Sequence, residues 1–255
     1  MHRRNFLKAS TLAPAALAIA ATPGLARPAS PLTELADKLD MSLFADGLAV
    51  PIAEKPTVSP LAKGLDRTLV LGGGGTYYLG WYCGFFHGLF DEGVDAPSLA
   101  EMIVGTSAGS YAGSSLASGH FQHMRDAFDF FGHFPKLFAK LLPVGEPNAS
   151  QERAQKINAA AKNGSVATRQ MIGHAALAAD NRLNGEGVER LAAFLTGDSK
   201  TSWPAAKMHT TAIDCYSGER IVVSQATARK NNIPLAHGTG ASCSLPGIIG
   251  PTLIG

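Results

Sequence analysis

The sequence predicts an α/β domain of the three-layer α/β/α class with a mainly parallel central sheet, on three observations. First, the apolar run Thr68-Leu69-Val70-Leu71 stops at the four glycines Gly72 to Gly75 and is followed by an apolar stretch from Leu79 to Glu92, which reads as strand, glycine loop and buried helix. Second, the pattern repeats: Glu101-Met102-Ile103-Val104 reads as a strand, Gly105 to Gly109 as a tight turn, and Ser110 to Ser118 as a helix of small residues. Two such units in succession make a βαβα start, and crossovers of that kind join parallel strands. Third, 255 residues that are 45% hydrophobic and 16% charged have the length and composition of one large globular domain.

Taken in chain order, the first element is an address. Residues 2 to 8 carry Arg3, Arg4 and Lys8, and Ala9 to Ala26 form an uncharged, alanine-rich run ending in Gly24-Leu25-Ala26, so residues 1–26 read as an export signal cleaved after Ala26. Arg3-Arg4 with Phe6-Leu7-Lys8 resembles a twin-arginine signal, with an ordinary secretory signal as the alternative. The mature protein is therefore expected in the periplasm or outside the cell. Its charge follows: removing Arg3, Arg4 and Lys8 leaves 19 basic against 20 acidic residues, which offers no electrostatic footprint for nucleic acid. Residues 27–64, with Pro28, Pro31, Pro51, Pro56 and Pro60, read as a Pro-rich arm, and 65–255 as the domain.

Leu69 to Phe90 lacks any Asp, Glu, Lys or Arg over a length able to cross a bilayer, but its seven glycines argue against a membrane helix. Gly80, Gly84 and Gly88 recur every four residues, which predicts a bare face pressed closely against the central sheet. Phe121, Met124, Phe128 and Phe131 keep helical spacing and read first as a core helix, with an acyl-chain groove left open. Asn148 to Asn184 reads either as a cap of helices or as an exposed excursion. Lys207 to Asp214 and Arg220 to Ser224 read as strands joined at Ser217-Gly218, and Ile233 to Cys243 as a short helix ended by Pro246. Cys83, Cys215 and Cys243 contain no C-x-x-C pair and read as packed thiols, so a structural zinc site is not expected.

The chemistry concentrates in the turns. Gly105-Thr106-Ser107-Ala108-Gly109 fits G-x-S-x-G between strand and helix, the context a nucleophile elbow requires, with Ser107 forced outward. Gly73-Gly74-Gly75 supplies consecutive unhindered N–H groups at the neighbouring strand end, suited to an oxyanion. No G-K-[ST] follows and Tyr78 breaks G-x-G-x-x-G, so a nucleoside-triphosphate loop is excluded and a dinucleotide site is weak.

These segments, with Gly84-Phe85-Phe86-His87-Gly88-Leu89, Ala117-Ser118-Gly119 and Ala241-Ser242-Cys243-Ser244-Leu245-Pro246-Gly247, resemble the patatin-like phospholipase family from about Leu69 to Gly255. The resemblance implies hydrolysis of lipid acyl esters by a Ser–Asp dyad, without metal or cofactor, with Ser107 as nucleophile and Gly73, Gly74 and Gly75 as the oxyanion loop. Lipid or acyl-ester substrate is the expected partner, peripheral membrane contact is left open, and the oligomeric state is not legible. Tyr77 and Tyr78 stand where that family commonly has a basic residue and a glycine. Its catalytic Asp belongs to an Asp-Gly pair after a strand that follows the Pro-Gly segment, whereas no Asp occurs here after Asp214, so the base is expected beyond Gly255 and the domain is expected to be incomplete. Two alternatives remain: an exported, catalytically inactive lipid-binding protein, and an α/β-hydrolase triad of Ser107, Asp214 and His237.

Overall fold

The computed structural model describes residues 61, 63–141, 145–181, 186–197, 203 and 206–254. The expected signal (1–26) lies outside them, as does the arm (27–64) apart from Leu61, Lys63 and Gly64. Four short strands rich in aliphatic and β-branched residues form the sheet: β1 (Thr68–Leu71), β2 (Met102–Gly105), β3 (Met208–Ile213) and β4 (Arg220–Val223). Their order is β1-β2-β3-β4; the first three are parallel, with Leu69 opposite Ile103 and Ile103 opposite Met208. Strand β4 returns antiparallel, because the turn at Ser217-Gly218 places a glycine at φ +71° and reverses the chain.

Ten helices among the described residues flank this mostly parallel sheet, consistent with the three-layer α/β/α class: α1 (Gly75–Asp91), α2 (Ala96–Leu99), α3 (Ala108–Ala117), α4 (Phe121–His133), α5 (Pro135–Leu141), α6 (Ala149–Ala160), α7 (Val166–Leu177), α8 (Glu186–Thr196), α9 (Gln225–Asn231) and α10 (Leu235–Ser242). The core gathers on the sheet face carrying Leu71, Ile103, Met208 and Val223, all buried. Helix α3 covers it closely because it is built of small residues; a Cβ on Gly113 would lie 3.1 Å from both Ile103 and Met208. Helix α10 covers β3 in the same way, with Gly238 against the ring of Trp203 and the hydroxyl of Thr210.

The spaced glycines of α1 behave otherwise than expected. Gly80 and Gly88 have no heavy atom within 4 Å of a Cβ position, and Gly84 and Gly88 are exposed. The face turned inward carries Leu79, Tyr82, Cys83 and Phe86. Burying large side chains removes far more apolar area from water than burying glycine does, roughly 1.5–3 kcal/mol for each Leu or Phe, so rotation about the helix axis favours that face. No described helix is long and apolar enough to cross a membrane, and Leu69–Phe90 is divided between β1 and α1.

Helix α4 is a core helix, with Phe121, Met124 and Phe131 buried and Phe128 partly so. Residues 149–177 form two paired helices, the second docked on the β3–β4 turn, not an exposed excursion. Gly173 meets the Cys215 backbone, and Arg169 and Gln170 donate to the carbonyls of Gly218 (2.6 Å) and Tyr216 (2.8 Å). Boundaries also shift: α1 begins at Gly75, four residues before Leu79, and α3 at Ala108, two before Ser110. Thr252–Ile254 form no strand, since they find no backbone ladder partner among the described residues.

Candidate active site

The site is assembled where β1 and β2 end side by side. The chain leaves β2 at Gly105 and enters α3 at Ala108, so Thr106 and Ser107 must reverse it in two residues. Ser107 takes φ +52° and ψ −119°, a region costly for any residue with a Cβ. The flanking glycines are sterically required. A Cβ on Gly105 would overlap the carbonyl of Gly109, and one on Gly109 would overlap the carbonyl of Leu71 and lie 2.8 Å from that of Gly72. The elbow is thus wedged between its own helix and the end of β1.

Ser107 is half-buried, and its N–H donates to the Ser242 hydroxyl at 2.9 Å. Its carbonyl accepts from Ser110 Oγ at 2.6 Å and begins the hydrogen-bonding of α3. The neighbouring Thr106 hydroxyl meets that of Thr211 on β3 at 2.7 Å, tying the elbow to the third strand. Behind the serine, the buried Cys243 thiol is pushed up to about 11 by burial, so it stays neutral and serves as packing.

The glycine loop lies directly opposite. A Cβ on Gly73 would stand 3.2 Å from Ser107 Cβ and 3.8 Å from its Oγ, so the glycine faces the serine with room for little more than backbone. The N–H groups of Gly73 and Gly74 take no acceptor among the described residues, and Gly75 starts α1 at φ +63°. At that helix start, as at Ala108 in α3, the first N–H groups lack intrahelical partners and the helix dipole is positive. The Tyr82 hydroxyl donates to the Gly72 carbonyl at 2.9 Å and pins the loop. The Tyr78 ring fills the space beside Gly74.

The structure therefore brings together Ser107, Gly105, Thr106, Ala108, Gly109 and Gly73, with Gly74 and Gly75 completing the loop. It does not bring Asp214 or His237 to them. The Asp214 carboxylate accepts from Tyr216 N–H and from Ser217 Oγ, both at 2.8 Å, and these bonds hold it below the usual carboxylate range. His237 pairs with Glu189 at 3.2 Å. His87 lies against Arg125 and Asp91 on the surface. No carboxylate or imidazole is hydrogen-bonded to Ser107 among the described residues. Among them, too, no three His, Cys, Asp or Glu side chains gather as a metal would need.

Ser242 and Tyr82 are contributions that sequence reasoning missed. Ser242 sits within the Ala241–Gly247 segment already singled out, but its contact with Ser107 spans 135 positions and leaves no local trace. Tyr82 reads as one more aromatic residue of an apolar helix.

A strand, a strained serine turn and a helix, repeated beside a glycine loop on the adjacent strand, define an α/β protein built around a serine elbow. Comparison with known families gives the particular group: the chain belongs to the patatin-like phospholipase family, whose model matches residues 69–255. That membership implies a hydrolase of lipid acyl esters with a lipid substrate. No curated protein and no solved structure matches the chain.

Proposed function

We propose that this protein hydrolyses acyl esters of lipids through a Ser–Asp dyad, with Ser107 as the nucleophile. The observation that carries the reading is the strained Ser107 elbow with Gly73 facing its side chain, where an added Cβ would stand 3.2 Å from Ser107 Cβ. Ser107 Oγ attacks the acyl carbonyl. The N–H groups of Gly73, Gly74 and Gly75, with Thr76 nearby, receive the negative charge that develops on the carbonyl oxygen, where preorganised donors are worth most. An aspartate accepts the Ser107 proton and passes it to the departing alcohol as the C–O bond breaks and the acyl-serine forms; it then takes a proton from the water that cleaves the acyl-serine and returns it to Ser107 Oγ as the fatty acid leaves. The family resemblance gives this base to an Asp-Gly pair, and no Asp follows Asp214 in the 255 residues. Without it Ser107 is a poor nucleophile at neutral pH, so purified residues 1–255 are expected to show no measurable esterase activity.

The protein is proposed to work outside the cytoplasm, delivered through the twin-arginine-type signal of residues 1–26. A second reading is an exported lipid-binding protein without turnover, favoured by the absence of a carboxylate or imidazole bonded to Ser107 among the described residues. The two separate in a longer chain that carries such an Asp-Gly pair. Hydrolysis of a short-chain ester that disappears in Ser107→Ala supports the hydrolase. Ester binding with no turnover in that longer chain supports the binding protein, and turnover that survives Ser107→Ala overturns the role of Ser107.

A further inference from the structure

We propose that the exposed aromatic strip of α1 is a docking face for an uncharged or zwitterionic lipid surface; the inference rests on the lipid-ester reading of the site and names where that lipid is met. Tyr77, Tyr78, Trp81 and Phe85 follow one another along the outer side of the helix. Their ring centroids lie 5.8 Å apart for Tyr77 and Tyr78, 6.3 Å for Tyr78 and Trp81, and 4.8 Å for the stacked Trp81 and Phe85. Trp81 is 47% and Phe85 44% exposed, although the same helix buries Leu79, Tyr82, Cys83 and Phe86 on its other side. A helix with apolar residues on both sides has a second apolar partner to meet.

Three observations make that partner a lipid surface. The strip starts at the site: the Tyr78 ring lies against Gly74, next to the glycine that faces Ser107. A lipid ester leaving its layer for Ser107 would pass from one to the other. The strip carries no charge, because no Asp, Glu, Lys or Arg occurs from Leu69 to Phe90, so it offers nothing to an ionic protein partner or to anionic headgroups. Its composition is Tyr and Trp with Phe, whose rings combine an apolar body with a polar edge and settle at the boundary between acyl chains and water.

The protein contains its own reporter. Of its two tryptophans, Trp203 is 3% exposed and donates to the Met208 carbonyl at 2.7 Å, so Trp81 alone can change surroundings on docking. Phosphatidylcholine vesicles are added to the 255-residue chain while tryptophan emission and co-sedimentation are followed, with Ser107→Ala as a catalysis-free comparison. The expected result is a shift of emission to shorter wavelength with co-sedimentation, equal in Ser107→Ala. In Trp81→Ser/Phe85→Ser, partition should weaken on the order of tenfold or more, since two half-exposed aromatic rings no longer leave water. Both substituted side chains are half-exposed, and circular dichroism verifies that the variant is folded; the emission shift of the unsubstituted chain stands as evidence even if it is not. Co-sedimentation without an emission shift, as an apolar N-terminal segment would produce, overturns the inference. So does an emission already at short wavelength without lipid, whether from a second copy, shown by concentration-dependent dimerisation, or from another segment of the chain. Absence of docking together with Ser107-dependent hydrolysis of a soluble ester in the longer chain sinks this surface alone. Docking without such hydrolysis keeps the surface and sinks the proposed activity.

Discussion

At the scale of single residues the elbow rests on backbone proximity that no side chain can share. Gly109→Ala would drive a methyl group into the carbonyls of Leu71 and Gly72. Those carbonyls belong to the β1 end and cannot retreat without disturbing the β1–β2 pairing, so a loss of about 3 kcal/mol is expected in the denaturant midpoint. Ser242→Ala removes the acceptor of the half-buried Ser107 N–H and should cost about 1–3 kcal/mol, read in the same way. Ser242→Thr, which restores a hydroxyl, should recover part of that loss. The thiols supply a check on burial: it pushes Cys83 up to about 12 and Cys243 up to about 11. A raised thiol pKa means less thiolate at neutral pH, so both should resist iodoacetamide in the folded protein and react once it is unfolded, as mass spectrometry would show.

At the scale of elements, the parts that sequence revealed are those with a local physical signature. Strand β1, the glycine loop and the β2-to-α3 turn announce themselves through an apolar run stopped by glycines, and the structure places them within a residue or two of their expected bounds. The α6–α7 pair left no such signature. What holds it is side chains of α7, Arg169 and Gln170, donating to backbone carbonyls of the β3–β4 turn, and Gln155 of α6 donating to the Gly247 carbonyl beyond α10 at 2.9 Å; such bonds have no periodicity to read. The glycine face of α1 misled for a related reason: spacing defines a face but not which of two apolar faces buries more area. Helix α6 opens on a reciprocal cap, Asn148 accepting from Gln151 N–H while the Gln151 side chain accepts from Asn148 N–H, both at 3.0 Å. Asn148→Ala should therefore cost about 1 kcal/mol of stability, measurable by chemical denaturation.

At the scale of the whole molecule, a four-stranded, mostly parallel sheet brings two loop ends together at the carboxyl edge of β1 and β2, and this places glycine donors against a serine. The fold class and the serine elbow were legible because both depend on short-range glycine patterns. The contact of Ser242 with Ser107 was not, because it comes from the last fifth of the chain by tertiary packing alone. The proposed export predicts that material recovered from outside the cytoplasm begins at Arg27, and that Arg3→Lys/Arg4→Lys keeps the full-length chain inside; N-terminal sequencing and fractionation test both. The most direct measurement is the rate of short-chain acyl ester hydrolysis by a chain that carries the proposed Asp-Gly pair, compared with the same chain carrying Ser107→Ala. The account predicts a fall on the order of a thousandfold or more, with the fold unchanged. Equal rates in the two proteins would contradict it.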